Sequence, residues 1–264
     1  MFPQPGHRAR GALCPVRVTL ESPEITVEAG MLGLIKSDLF TPAFFAVILA
    51  WVLCVCVHEF AHALVAYLGG DRSVRARGYL SLDPLKFIDP VFSLLIPAIM
   101  LMMGGVPLPG GAVLINESAL KSRKWGLYVS AAGPAANFVL FLLFSIPLHP
   151  KLGLVDPYAP PDATWVHFCG AMAFLNFTAM LFNLIPVPPL DGYRLIEHRF
   201  SPEMQWKLRQ PGVSIVTFGL LFLLFAAVPQ VLIVFIDMFA SVTDSLGLPT
   251  GLLLRGYGLI FFGS

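Results

Sequence analysis

The chain has 264 residues, of which 56% are apolar and only 12% charged, with a mean hydropathy of +0.77 and a formal net charge of +1. A soluble domain carries about twice that share of charge, and a nearly neutral chain without a long block of one sign gives no footing for nucleic acid. The composition predicts a multi-pass protein of the lipid bilayer.

Residues 1–30 stand apart as a polar, Pro- and Gly-rich tail. Basic residues at its start are not followed by an apolar run, so it does not read as a signal peptide. The alternation in Val16–Leu20 and Ile25–Ala29 leaves a short hairpin and a disordered tail equally open. Met31 opens what is expected to be one membrane-embedded domain over 31–264. Its first span is Thr41–Leu68, closed by Gly69-Gly70, and comfortably exceeds the roughly 20 helical residues that cross a bilayer core. A polar stretch with Arg72, Arg75, Arg77 and Lys86 follows. Phe87–Met103 is apolar but interrupted by Asp89-Pro90 and Pro97, and as helix it reaches only about 25 Å, a marginal length. In Gly104–Ser118 two Gly pairs and two prolines exclude helix, while Ala112–Asn116 suits a short strand. Trp125–Pro147 and Trp165–Pro186 read as further spans, and Val213–Phe239 as a last long apolar run with a break at Pro229. The remainder to Ser264 is amphipathic and Gly-rich. The expected fold is an all-α integral membrane bundle of about four to six transmembrane helices, with a re-entrant segment and a short membrane-associated β element.

Cys14, Cys54, Cys56 and Cys169 contain no C-x-x-C, and Cys54 and Cys56 point to opposite sides of a helix, which suits packing better than a shared metal. The chemistry lies one turn further on, in His58-Glu59-Phe60-Ala61-His62. Two histidines four apart lie on one helix face, so both imidazoles can reach one Zn²⁺. Glu59 is angled away from ligation but can reach a water held by the metal and take its proton. An unpaired carboxylate in the bilayer core costs at least a few kcal/mol, so three ionisable groups within five positions point to function rather than packing. A catalytic zinc needs a third protein ligand. His149, His167, Glu197 and His198 lack a partner motif. Asp191 follows three prolines in Asn183–Gly192, which break the helix and let the chain fold back. Its charge, with one hydroxide, would neutralise Zn²⁺; on spacing alone an ordinary Asp-Gly turn remains open.

Three stretches together, HEFAHALVAYLGGD from His58, AAGPAANFVLF with Gly133, Pro134 and Asn137, and NLIPVPPLDG from Asn183, resemble the site-2 protease family of intramembrane metalloproteases. The resemblance spans about residues 31–245 and is nearest to the compact prokaryotic type, which the GYLSLDPLKFIDP and VPLPGGAVLIN segments also suggest. It implies one Zn²⁺ per chain on His58, His62 and Asp191, Glu59 as catalytic base, and hydrolysis of peptide bonds in transmembrane protein substrates from within a prokaryotic cell membrane. The sequence is expected to have no room for a PDZ or nucleotide-sensing domain. Asn183 is a candidate catalytic residue, donating a hydrogen bond to the oxyanion, and helix-to-helix bonding is the equal alternative for it. Asn137 suits the structural role. Two rival functions are a membrane metal-ion transporter, which has no need of a base beside the first histidine, and a non-catalytic helix-binding scaffold, which has no need of the metal set. One topological expectation concerns 87–103: if it crossed the membrane, the first and fourth spans would be antiparallel and the ligands on the order of 10–20 Å apart in depth. Lysine and arginine counts favour neither topology; ligand depth favours a segment that does not cross.

Overall fold

The computed structural model describes residues 41–87, 113–155 and 164–262. The described residues are helical, with no strand. The principal helices are α1 (Pro42–Gly69), α2 (Arg123–Ser145), α3 (Thr164–Asn183), α4 (Asp191–Ile196), α5 (Pro202–Leu208), α6 (Pro211–Ala227), α7 (Pro229–Ser245) and α8 (Thr250–Phe262). Short turns of helix at Ser73–Ala76, Pro84–Phe87 and Glu117–Ala119 connect them.

Local chemistry sets the boundaries. Thr41 Oγ1 accepts the Phe44 N–H at 3.1 Å and Pro42 supplies the first turn, so α1 begins with an orphan donor satisfied. At its end the Gly70 N–H returns to Tyr67 O and the Asp71 N–H to Ala66 O. α3 stops at Asn183, short of the expected Pro186, because a residue before proline is pushed out of the helical region. The expected run 213–239 divides at Pro229, which opens α7.

Three helices are long and apolar enough to cross a membrane, and the α5–α6 pair, bent by 63°, makes a fourth if it is one span. The fold is therefore an all-helical membrane bundle with three to four candidate spans among the described residues, against the four to six expected. Of the segment 87–103 only Phe87 is described, and Ala112 also lies outside the described residues. Val113–Asn116, where a strand was expected, takes no regular secondary structure.

Contacts fix the directions of the spans. His62 meets Val129 and Gly69 O accepts the Lys121 N–H, so α1 and α2 run antiparallel. Phe144 meets Phe168 and Phe141 meets Phe177, so α2 and α3 do too. α1 and α3 are consequently parallel, and 70–122 leaves and returns at the same end of the α1–α2 pair. α3 is the central helix, with 67% of its membrane-length window buried against 44% in α1 and 39% in α2. Around it Phe141, Phe174, Phe177 and Phe239 interlock with ring centroids 5.2–6.0 Å apart. In lipid, where tails are as apolar as side chains, such close packing is what holds helices together. α8 packs along α3, with Gly170 against Leu253 and Gly256.

Candidate metal centre

His58 and His62 stand one turn apart near the Gly69 end of α1, both buried, with their Nε2 atoms 3.0 Å from each other. The third group arrives from a distant part of the chain. After Asn183 the backbone turns through Leu184–Leu190, held by the Ile185 N–H to Phe182 O and the Leu190 N–H to Val187 O, and helix resumes at Asp191. This fold-back depends on Gly192, where a Cβ would collide with the backbone carbonyls of Leu184 and Ile185. Asp191 Oδ2 lies 3.2 Å from each histidine Nε2. Among the described residues this trio is the one cluster of three or more His, Cys, Asp or Glu groups spaced to hold a metal ion.

The donor set fits a cation. His62 Nδ1 lies 2.6 Å from Val129 O, a contact that places its ring proton on Nδ1 and leaves the Nε2 lone pair facing inward. Asp191 Oδ2 is buried and has no hydrogen-bond donor. Buried lone pairs converging without a proton between them are repulsive unless something positive sits among them. A tetrahedral zinc with bonds of 2.0–2.1 Å separates its ligands by about 3.3 Å, close to the 3.0–3.2 Å triangle here. The approach of α2 is part of the same arrangement: Gly133 faces both imidazoles, and a Cβ there would overlap the His62 and His58 rings.

Glu59 is buried beside His58 in the chain, and among the described residues it has no ion-pair partner. Asn183, at the end of α3, is buried with its Nδ2 lacking a hydrogen-bond acceptor, whereas Asn137 is buried on α2 one turn beyond Gly133. The other residues weighed as third ligands are elsewhere: His149 Nδ1 accepts the Lys151 N–H, Glu197 pairs with Arg209, and His198 lines a cavity with Arg123 and Arg194. Nor does His167 belong to the trio.

Sequence reasoning missed Asp71, just beyond α1. Its carboxylate is fully buried; Oδ1 accepts the Ser73 N–H and hydroxyl at 2.9 and 2.6 Å, and Oδ2 accepts the Asn116 N–H at 2.7 Å. Burial pushes its pKa up, but the Ser73 and Asn116 donors and nearby Arg77 outweigh this and hold the carboxyl below the usual carboxylate range. Arg77 also donates to Leu114 O at 2.8 Å. Val113–Asn116 is thereby tied at two points beside α1, with Val113 turned inward and Leu114 exposed. The signal was an aspartate directly after a Gly pair, at the end of the HEFAHALVAYLGGD stretch.

Known proteins bear on this arrangement. The profile of Peptidase family M50 matches residues 149–227. A protein of Mycolicibacterium smegmatis described as a zinc metalloprotease, Rip2, is 38% identical over 187 residues, covering 69% of each chain. Its namesake in Mycobacterium tuberculosis is 37% identical over 186 residues, again 69% of each. A Bacillus subtilis protein described as a zinc metalloprotease, YwhC, is 34% identical over 170 residues, covering 62% of this chain and 73% of its own. No solved structure matches the chain at a significant level.

Proposed function

This chain belongs to peptidase family M50 and is an intramembrane zinc metalloprotease of the site-2 type, and on that premise we propose that His58, His62 and Asp191 hold its zinc while Glu59 is the general base. What supports the ligand set is one observation: three donor atoms from α1 and the start of α4 converge within 3.0–3.2 Å in a buried site. When bound there, zinc supplies Lewis acidity, which acidifies water and polarises a carbonyl.

The chain's own groups perform the rest. The Glu59 carboxylate takes a proton from the attacking water as its oxygen bonds to the scissile carbonyl carbon. It then delivers that proton to the amide nitrogen as the C–N bond breaks. The Asn183 Nδ2–H donates to the carbonyl oxygen as negative charge develops there; the unengaged, buried state of that nitrogen supports the role. The Val129 carbonyl holds the His62 ring in the tautomer that ligation requires.

The finer architecture follows from the substrate problem. The substrates are transmembrane segments of other proteins in a bacterial cell membrane, and a helical peptide bond is shielded from water until its segment is extended. Exposed extended backbone is costly in lipid. Val113–Asn116, anchored through Asp71 and Arg77, accepts an extended substrate backbone by strand addition and becomes the expected β element only on that pairing. The expected re-entrant path of 87–103 lies, beyond Phe87, outside the described residues; what supports it is the meeting of Gly69 with Lys121, which puts the end of α1 and the start of α2 on one side. Residues 1–30, expected as a polar tail, lie outside the described residues.

The decisive experiment co-expresses the chain with single-span substrate fusions. Glu59→Gln is expected to abolish cleavage while zinc stays near one per chain, and His58→Ala, His62→Ala or Asp191→Ala to lose both. Zinc loss in Glu59→Gln, or full activity in Asp191→Ala, overturns the assignment. For the topology, single cysteines at Ser73 and Glu117 in a cysteine-free background are expected to react with an impermeant thiol reagent from the same side. Reaction from opposite sides excludes the re-entrant path.

A further inference from the structure

The two histidines of the metal centre are supported unequally. His62 has its outer nitrogen bonded to Val129 O, but His58 Nδ1 is buried with no hydrogen-bond partner. A ligating histidine nearly always donates its outer N–H to a carbonyl, carboxylate or water, and that partner sets its tautomer and orientation. A buried donor left bare costs about 1–3 kcal/mol, so an acceptor for His58 should exist nearby.

α3 carries a matching group. Asn176 is completely buried among apolar side chains, and its carboxamide orientation is settled: Nδ2 donates to Met172 O at 2.8 Å and reaches Cys54 Sγ at 3.6 Å. The amide oxygen therefore faces the other way, and it too is buried without a partner. Cys54 lies one turn before His58 on α1, and helical side chains lean toward the N-terminus, which carries the His58 ring back toward that level. Because α1 and α3 run parallel, Asn176 faces α1 at the Cys54 turn while the chain beyond Asn183 reaches the metal centre one to two turns higher. An unmatched buried donor and an unmatched buried acceptor thus lie at adjoining levels of one helix interface.

We propose that Asn176 is the positioning residue of His58, its carboxamide oxygen receiving the Nδ1–H through a bridging buried water. This rests on the reading of His58 as a zinc ligand. Asn176 would then act on the centre only through His58, holding its proton on Nδ1 and its Nε2 lone pair toward Asp191 and His62.

The test measures Zn²⁺ affinity by competition with a chromophoric chelator, on the full chain in detergent micelles, for three variants that separate the two ends of the amide. Asn176→Asp keeps the acceptor and loses the Nδ2 donor. Asn176→Thr can keep a donor to Met172 O, as Thr178 does to Phe174 O, but loses the reach of the acceptor. Asn176→Leu loses both. Affinity is expected to fall 10–100-fold in the Thr and Leu variants and to stay within about threefold of wild type in Asn176→Asp, with helix content unchanged. Should the Leu chain fail to fold, the Thr and Asp pair makes the same comparison. Equal weakening in Asp and Thr, or no weakening in Thr, overturns the proposal. His58→Ala serves as the control: if it retains zinc, the ligand assignment itself fails, whereas zinc loss there with none in Asn176→Thr refutes only the role of Asn176.

Discussion

The two halves of the metal centre are built by different means. The histidine half sits on an uninterrupted 28-residue helix, with one ring tied to Val129 O and both pressed against Gly133 of α2. The aspartate half is a loop containing Pro186, Pro188 and Pro189 that restarts a helix only at Asp191. Its outer support is Thr217 on α6, whose Oγ1 lies 2.5 Å from Pro188 O and 2.8 Å from Val213 O within its own helix. α6 packs lightly, chiefly against its chain neighbours α5 and α7, whereas α1, α2 and α3 pack closely on one another. One half inherits its geometry from helix periodicity and core packing. The other has it imposed by a proline loop braced from a sparsely packed helix, so the same metal should respond sharply to changes on one side and gradually to changes on the other.

The largest expected effect is on the histidine side. Gly133→Val puts side-chain carbon where the two imidazoles stand, only 2.3–2.5 Å from His62 Nε2 and the His58 ring, so the rings must leave their inward orientation. Zinc content measured by atomic absorption should fall from about one per chain to near zero, with cleavage lost. Retention of zinc in a folded Gly133→Val chain would break the comparison at its rigid end.

A smaller effect is expected from Thr217→Val, which preserves shape and removes one hydroxyl. A lost hydrogen bond of this kind is worth about 0.5–1.5 kcal/mol, so zinc affinity and cleavage should fall several-fold, roughly 2–10-fold, with the thermal midpoint little changed. A Thr217→Val chain as inactive as Gly133→Val would mean that the aspartate loop is as brittle as the histidine helix.

The smallest effect on the metal should come from Asp71→Asn, which lies past the end of α1. Replacing one carboxylate oxygen by an amide sets donor against donor at Ser73 or Asn116, and stability at neutral pH should drop by about 1–3 kcal/mol. Zinc content should not change, while cleavage should weaken if Val113–Asn116 receives the substrate. The folded carboxyl titrates below its unfolded value of about 3.9, so its contribution is fully present above that pH and disappears as pH falls through the depressed folded value. The gap in thermal midpoint between wild type and Asp71→Asn should therefore be constant from pH 7 to 5 and close below about pH 4. A gap independent of pH would assign the effect to packing.

Much of this protein is determined locally, and those parts were legible in the sequence. A bilayer admits chain only with its backbone bonded internally, so long apolar runs became helices, and 41–68, 125–147 and 165–186 lie on α1, α2 and α3 within a few residues. His58 and His62 share a face because four residues make about one turn, and Pro229 and the prolines after Asn183 interrupt helix wherever they occur. Asp191 was legible through its motif, yet on spacing alone it could have been a turn. Its place beside the histidines depends on α1 and α3 running parallel, which follows from the way 70–122 leaves and returns at one end. Tertiary structure alone decided that the Val129 carbonyl holds His62, that Gly133 faces both rings, that Asp71 anchors Asn116 and that Asn176 reaches Cys54. These contacts join residues from 45 to 122 positions apart, and a backbone carbonyl or a missing Cβ has no side chain to announce it, so no periodicity or propensity in the sequence could have signalled them.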